Sequence, residues 1–120
     1  MIYLGTDIVY VPRIEKIIKD KGIRFLKHVF TGLEQQLCNP KSTPWVHYSG
    51  KFAAKEAVKK TLLSSKIIEN ISFTSIEIYN DAKGEPLVRM NINDFDYNNL
   101  KVSISHDGEY AIATAILNIK

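Results

Sequence analysis

Gly50-Lys51-Phe52-Ala53-Ala54-Lys55-Glu56-Ala57-Val58-Lys59-Lys60 is the stretch around which the rest of this chain is read. At about 100° per helical residue, Ala53, Ala54, Ala57, Val58 and Thr61 fall in one sector, and Lys51, Lys55, Glu56, Lys59 and Lys60 in the opposite one. The small-residue face can approach a sheet closely, and the other face is rich in charge. Lys51, Lys55 and Lys59 recur at i, i+4, where like charges repel by roughly a few tenths of a kcal/mol per pair. Either water screens them or an anion sits among them. Phe52 lies inside the charged sector, an odd place for an aromatic on a solvated face, and hints that something covers it. The plain alternative is a solvated helix with one favourable Glu56–Lys60 pair.

Outward from this stretch, the helix is expected from near Trp45 to about Ser64, after a loop from Asn39 to Pro44. Gly50 costs such a helix about 1 kcal/mol relative to alanine, so close packing or ligand access is its expected reason. Upstream, Ile2 to Val11 reads as a strand with Tyr3, Gly5, Asp7 and Val9 on one face. Asp7 there must be paired, hydrogen-bonded or bound to a metal, or else cap a turn or the next helix. Gly5 beside it lets a ligand or another backbone come close. Pro12 opens a helix with Ile14, Ile17 and Ile18 as its apolar stripe, ended by Asp20-Lys21-Gly22. Arg24 to Phe30 is amphipathic, and Thr31-Gly32-Leu33-Glu34 is a capping-box match opening a short helix through about Cys38. Arg13, Arg24 and Lys27 form either a basic surface or scattered solvated cations.

Downstream the pattern turns to strands. Phe73 to Tyr79 alternates, Asn80-Asp81-Ala82-Lys83-Gly84-Glu85-Pro86 is a turn, and Leu87 to Met90 is the partner strand. Asn91 to Asn99 is polar and irregular, with room for one helical turn. Leu100 to Ser105 and Tyr110 to Ile119 flank His106-Asp107-Gly108-Glu109 as a second hairpin. Strand, helices and two hairpins in that order predict an α+β fold, a mainly antiparallel sheet wrapped on the long central helix, as one domain over residues 1–120. Tyr110 to Leu117 is apolar on both faces. Ile112, Thr114 and Ile116 lie on one, Ala111, Ala113, Ala115 and Leu117 on the other, and one helical layer covers only one of them. The second face calls for another subunit.

A chain of 120 residues with 45% hydrophobic and 24% charged residues is ordinary for one globular unit. No apolar run approaches the roughly 20 residues that span a bilayer, so no membrane partner is expected. The N-terminal stretch has no basic leader and places Asp7 where a signal peptide needs apolar sequence, so no export is expected. The single cysteine, Cys38, excludes an intrachain disulfide and a multi-cysteine metal knot, and a reducing cytoplasm fits best. A formal charge of +3 suits an acidic protein or a polyphosphate-type ligand. With no arginine-rich tract, no interleaved aromatic and basic pattern and no zinc-finger spacing, nucleic acid is not expected.

Asp7 on a strand and Glu56 on the central helix are candidate ligands for a hard divalent cation that keeps several waters and takes a phosphate. Lys51, Lys55 and Lys60 are then placed to neutralise the remaining phosphate oxygens, a constellation for phosphoryl chemistry. His106, after Val102-Ser103-Ile104-Ser105, emerges where a strand enters a turn; it is either functional or a polar turn residue. His28 and His47 have no metal-like spacing and read as incidental. Walker-type and dinucleotide-type glycine loops are absent.

Gly5-x-Asp7, Phe52-Ala53-Ala54-Lys55-Glu56-Ala57 and Ser103-Ile104-Ser105-His106, in this order, closely resemble the holo-acyl-carrier-protein synthase family of 4′-phosphopantetheinyl transferases. Arg13, Arg24-Phe25-Leu26, Thr31-x-x-Glu34 and Asn80-Asp81-x-x-Gly84-x-Pro86 extend the resemblance over nearly the whole chain. It implies an enzyme that moves the phosphopantetheine arm of coenzyme A onto a serine of apo-acyl carrier protein, in fatty acid biosynthesis, with magnesium. By resemblance, Asp7 and Glu56 are the metal ligands, Lys60 and His106 are coenzyme A phosphate contacts, and Arg13 and Arg24 dock the carrier. On chemical grounds Lys51 and Lys55 join the phosphate contacts, and Glu56, directly or through a bound water, is the candidate base for the serine hydroxyl. A homotrimer with sites between protomers is also implied. The chain departs from the family pattern at Lys51 (usually arginine), at Glu85 (usually lysine) and in the glycine-poor Thr61–Ser65 stretch, changes that bear on nucleotide contacts. The rival expectation is a small basic non-catalytic module that docks acidic proteins or nucleic acid through Arg13, Lys16, Lys19 and Arg24.

Overall fold

The computed structural model describes residues 1–92 and 98–119. Strand β1 (Ile2–Tyr10) runs straight into helix α1 (Val11–Lys21), with Pro12 in the first turn, where its missing N–H costs nothing. Gly22, at φ 57°, turns the chain into α2 (Ile23–Val29). The predicted capping box then opens α3 (Gly32–Cys38): Thr31 accepts from the Glu34 N–H and Glu34 accepts from the Thr31 N–H. The long helix α4 spans Pro44–Ser65.

After a single 3₁₀ turn, Phe73–Ser75, the hairpin β2 (Ile76–Asn80) and β3 (Pro86–Met90) forms, followed by β4 (Leu100–Asp107) and β5 (Tyr110–Asn118). The expected strand from Phe73 thus begins three residues later. The expected turn at 106–109 shrinks to Gly108 and Glu109, because His106 and Asp107 continue the ladder opposite Ala111 and Tyr110. The helical turn expected between Asn91 and Asn99 falls largely on residues 93–97, outside the described residues.

The strands form two antiparallel sheets, β1-β5-β4 and β2-β3, so the fold is α+β with α4 packed between them and the short helices. The small-residue face of α4 meets β1 and β5, and Ala53, Ala54, Ala57, Val58 and Leu62 are fully buried. Contact is backbone to backbone: a Cβ on Gly5 would lie 2.1 Å from the Ala57 carbonyl oxygen. Thr61 closes the seam by donating to Ala57 O at 3.0 Å, with Ala115 O at 3.3 Å. The other face of the three-stranded sheet is uncovered in the single chain. Leu4, Ile8, Tyr10, Tyr110, Ile112 and Ile116 are each between 41% and 61% exposed there.

The charged sector of α4 is not a solvated face. Lys51 is 7% and Lys55 0% exposed, because α2, α3, the 3₁₀ turn and β2 cover that side. Phe52 meets the rings of Phe25 and Phe73, which accounts for its position among the lysines. The periodicity is real, but α4 is buried on two sides, and a helix enclosed by two layers does not display a simple apolar and polar division.

Candidate active site

Lys55 is the side chain whose role departs furthest from its sequence reading. Its amine lies 2.5 Å from Glu34 Oε1 and donates to Val29 O at 2.7 Å and Phe73 O at 3.0 Å. Those three acceptors use all three N–H groups, so Lys55 has no donor left for a ligand phosphate and is withdrawn from the expected ligand set. Burial holds its amine below the usual lysine value, with Glu34 opposing the shift. Glu34 in turn accepts from the Ile78 N–H at 2.7 Å, while Lys51 donates to Ile78 O at 3.0 Å. One residue of β2 is therefore held at both its backbone groups by side chains of α3 and α4, on the edge that carries no neighbouring strand.

At the other side of α4, Lys60 donates to Asp7 Oδ1 and to Thr6 O, each at 3.0 Å. The Glu56–Lys60 pair of the alternative reading does not form among the described residues; Lys60 bonds across to β1 instead. Gly5 brings β1 onto α4 at Ala57 and Thr61, and Asp7 follows two residues later on the same face. Glu56 lies one turn before Lys60 on α4, half-buried, with no hydrogen bond or ion pair among the described residues. The structure therefore assembles Asp7, Lys60 and the Glu56 turn of α4 into one neighbourhood. Asp7 and Glu56 fit a hard cation: both are oxygen donors, and a cationic amine already stands on Asp7. Two protein carboxylates suffice for an ion that keeps waters and binds phosphate.

Lys51 and His106 meet elsewhere, at a cavity of about 520 Å³ near the start of α4. Lys41, His47, Asn80, Gly84 and Pro86 share its wall. The β2-β3 turn that reaches it is locally specified: Asp81 Oδ1 accepts from the N–H groups of Lys83 and Glu85, both at 2.9 Å, and Asn80 donates to Gly84 O at 3.0 Å. Gly50 also lines the cavity, and a Cβ there would stand 3.2 Å from a methyl of Ile104, so the close-packing reason for this glycine holds. Lys51 and Lys60 are nine residues apart, about 13 Å along the helix axis, which separates the cavity from the carboxylate site without placing them on different elements.

Lys41 was not singled out from the sequence, and His47 was read as incidental; both line this cavity. The spacing of His47 and Lys51 at i, i+4 was the available signal, since it sets both on one face of α4. Arg13 and Arg24 are exposed on α1 and α2 and make no ion pair among the described residues. Their neighbours Lys16 and Lys19 face Asp20 and Glu15 at 3.8 and 3.1 Å.

Residues 3–115 match the model of the 4′-phosphopantetheinyl transferase superfamily. The chain is 42% identical over 116 residues to a holo-[acyl-carrier-protein] synthase of Protochlamydia amoebophila, covering 94% of each. Among solved structures it resembles the Helicobacter pylori holo-[acyl-carrier-protein] synthase in complex with coenzyme A (38% identity, TM-score 0.76, 93% of this chain and 96% of that one). The Chronobacterium ammoniagenes ACPS-CoA complex superposes at TM-score 0.84 with 25% identity, over 100% and 98% of the two chains. The Asp7–Lys60 pair beside the Glu56 turn of α4 and a cationic cavity at the start of that helix thus stand in a fold and a sequence shared with these enzymes, and the chain belongs to the 4′-phosphopantetheinyl transferase superfamily.

Proposed function

We propose that this chain transfers the 4′-phosphopantetheine moiety of coenzyme A to a serine of apo-acyl carrier protein, in the cytoplasm and in service of fatty acid biosynthesis. The observation that carries the reading is α4 itself, which presents the Glu56 turn to Asp7 and Lys60 at one station and a cavity bearing Lys41, Lys51 and His106 at another. In the reaction the serine oxygen attacks the phosphorus that bears pantetheine. The bond from that phosphorus to the bridging pyrophosphate oxygen breaks, and adenosine 3′,5′-bisphosphate leaves with the electron pair.

Glu56, half-buried and without a partner among the described residues, accepts the serine proton directly or through a water. Lys60, more than half exposed, turns its amine to a phosphate oxygen while staying near Asp7. The cavity holds the nucleotide end through Lys51 and His106, and the pyrophosphate extends from it to the carboxylates of this or a neighbouring protomer. Asp7 and Glu56 would hold magnesium, which supplies charge neutralisation at the pyrophosphate. Arg13 and Arg24, uncommitted on adjacent helices, dock the acidic carrier. The open apolar face of β1 and β5 is the surface on which three copies assemble, with sites between protomers.

The rival reading, a basic module that docks acidic proteins or nucleic acid, is not favoured. Such a module has no need of Asp7 and Glu56, and two of its four cations are paired within α1. The test is to incubate the chain with apo-carrier protein, coenzyme A and magnesium and to weigh the carrier. A gain of one phosphopantetheine with equimolar adenosine 3′,5′-bisphosphate is expected. No gain with several carriers would overturn the reading.

A further inference from the structure

The cavity gathers its charge from separate parts of the fold. Lys41 precedes α4, His47 and Lys51 share a face of α4, and His106 stands on β4; no aspartate or glutamate lines it among the described residues. The other groups that face it are uncharged at neutral pH. Cys38, at the end of α3, has its thiol pushed up to about 11 by burial, and Asn80 from the hairpin is an amide. Lys51 spends one N–H on Ile78 O. His47 is the one member of the cluster that is both half-buried and able to change charge near pH 7 without leaving the wall. Burial, then Lys41, His106 and Lys51, hold its imidazole below the usual histidine value, so it is neutral at pH 7.

We propose that His47 is an anion-binding residue of this cavity, donating an imidazole N–H to a phosphoryl oxygen of the nucleotide alongside Lys51 and His106. The inference rests on the proposed coenzyme A reading and adds to it a residue and a proton. A phosphate dianion placed among Lys41, Lys51 and His106 reverses the electrostatic balance that keeps His47 neutral. The imidazole then takes one proton from solvent, and both of its nitrogens become donors. Nucleotide affinity is coupled to this uptake and weakens as pH rises through the histidine's value in the filled site.

Adenosine 3′,5′-bisphosphate is the probe, since it binds without reacting. Titration calorimetry at pH 7.5 in two buffers of different ionisation enthalpy counts protons for the native chain and for His47→Gln. The nucleotide's own phosphate protons are common to both and cancel in the difference. The native chain is expected to take up a measurable fraction of a proton more than His47→Gln, and its affinity to fall by up to about tenfold per pH unit above neutrality where the variant's is flatter. In NMR spectra of the native chain, the His47 ring resonance, among three histidines, is expected to titrate about one pH unit or more higher with nucleotide bound. A His47 resonance that titrates at the same pH in both states, or equal proton counts for the two chains, overturns the inference. If the native chain fails to bind the nucleotide at any pH, the coenzyme A reading itself is overturned. The native-chain spectra decide the matter even if His47→Gln does not fold.

Discussion

Glu34→Gln preserves the shape of a fully buried side chain and removes its charge, so it isolates the electrostatic role of the Lys55–Glu34 pair. In the native chain Oε1 accepts from Lys55 Nζ at 2.5 Å and from the Thr31 N–H at 2.8 Å, and Oε2 accepts from the Ile78 N–H at 2.7 Å. A glutamine offers one acceptor oxygen and turns its NH₂ against a donor. Lys55, 0% exposed, keeps Val29 O and Phe73 O but loses its counter-charge. Leaving one partner of a buried pair uncompensated costs about 3–5 kcal/mol, a large share of the roughly 5–15 kcal/mol that holds a domain of this size. At about 2.1 cal/mol/K of unfolding entropy per residue, that cost lowers the melting midpoint by roughly 12–20 °C. Urea unfolding followed by far-ultraviolet circular dichroism, on Glu34→Gln, Lys55→Met and the double variant, measures it. The double variant is expected to be less destabilised than the sum of the singles by about 1–3 kcal/mol. A loss under about 1 kcal/mol for Glu34→Gln, or strictly additive losses, would refute the reasoning.

Three further outcomes test the site and the assembly. Asp7→Asn and Glu56→Gln are each expected to lower magnesium-dependent transfer by about a hundredfold or more, and near-normal turnover at limiting magnesium would remove that residue from the metal site. Charge reversal at Arg13 or Arg24 is expected to raise KM for the carrier and weaken its salt dependence while coenzyme A affinity holds; a fall in coenzyme A affinity would assign the arginine to the nucleotide site. Ile112→Lys puts a charge on the open sheet face, whereas Ala113, 1% exposed, points into the α4 seam. Light scattering is expected to show dissociation with loss of transfer, and an active native monomer at micromolar concentration would refute the trimer.

Much of the fold was legible because its signals are local. Pro12, the Thr31-x-x-Glu34 capping box and the Asn80–Pro86 turn each satisfy their own backbone within a few residues, and the structure forms all three. Alternation in β1 was legible too, since Gly5 and Val9 are buried while Leu4 and Ile8 are not. What could not be read was depth. Lys51, Lys55 and Lys60 look alike on a helical wheel, yet the first ties a strand edge, the second is sealed in the core and the third bridges to Asp7. Those fates depend on which layer lies opposite each residue, and that is decided by segments 18 or more positions away in sequence. His47, read as incidental, sits in the same cavity as Lys41 and Lys51, which are near in sequence, and as Asn80 and His106, which are not.

The adjacency of Lys55 and Glu56 gains a physical meaning from this arrangement. Successive helical residues point about 100° apart, so pinning one fixes the direction of the next. Lys55 is anchored at its tip by three acceptors drawn from α2, α3 and the Phe73 turn, and Gly5 lets β1 seat directly on the Ala57 carbonyl from the other side. These contacts tie α4 from two sides and oppose its rotation about its axis, and Glu56, four residues before Lys60, shares the helix face on which Lys60 meets Asp7. A solvated lysine at 55 would supply the same charge but no such anchor. If Glu56 serves as the proposed base, the buried ion pair would act on the reaction through orientation, and a variant that keeps the fold while loosening Lys55 is expected to lose turnover faster than it loses nucleotide affinity.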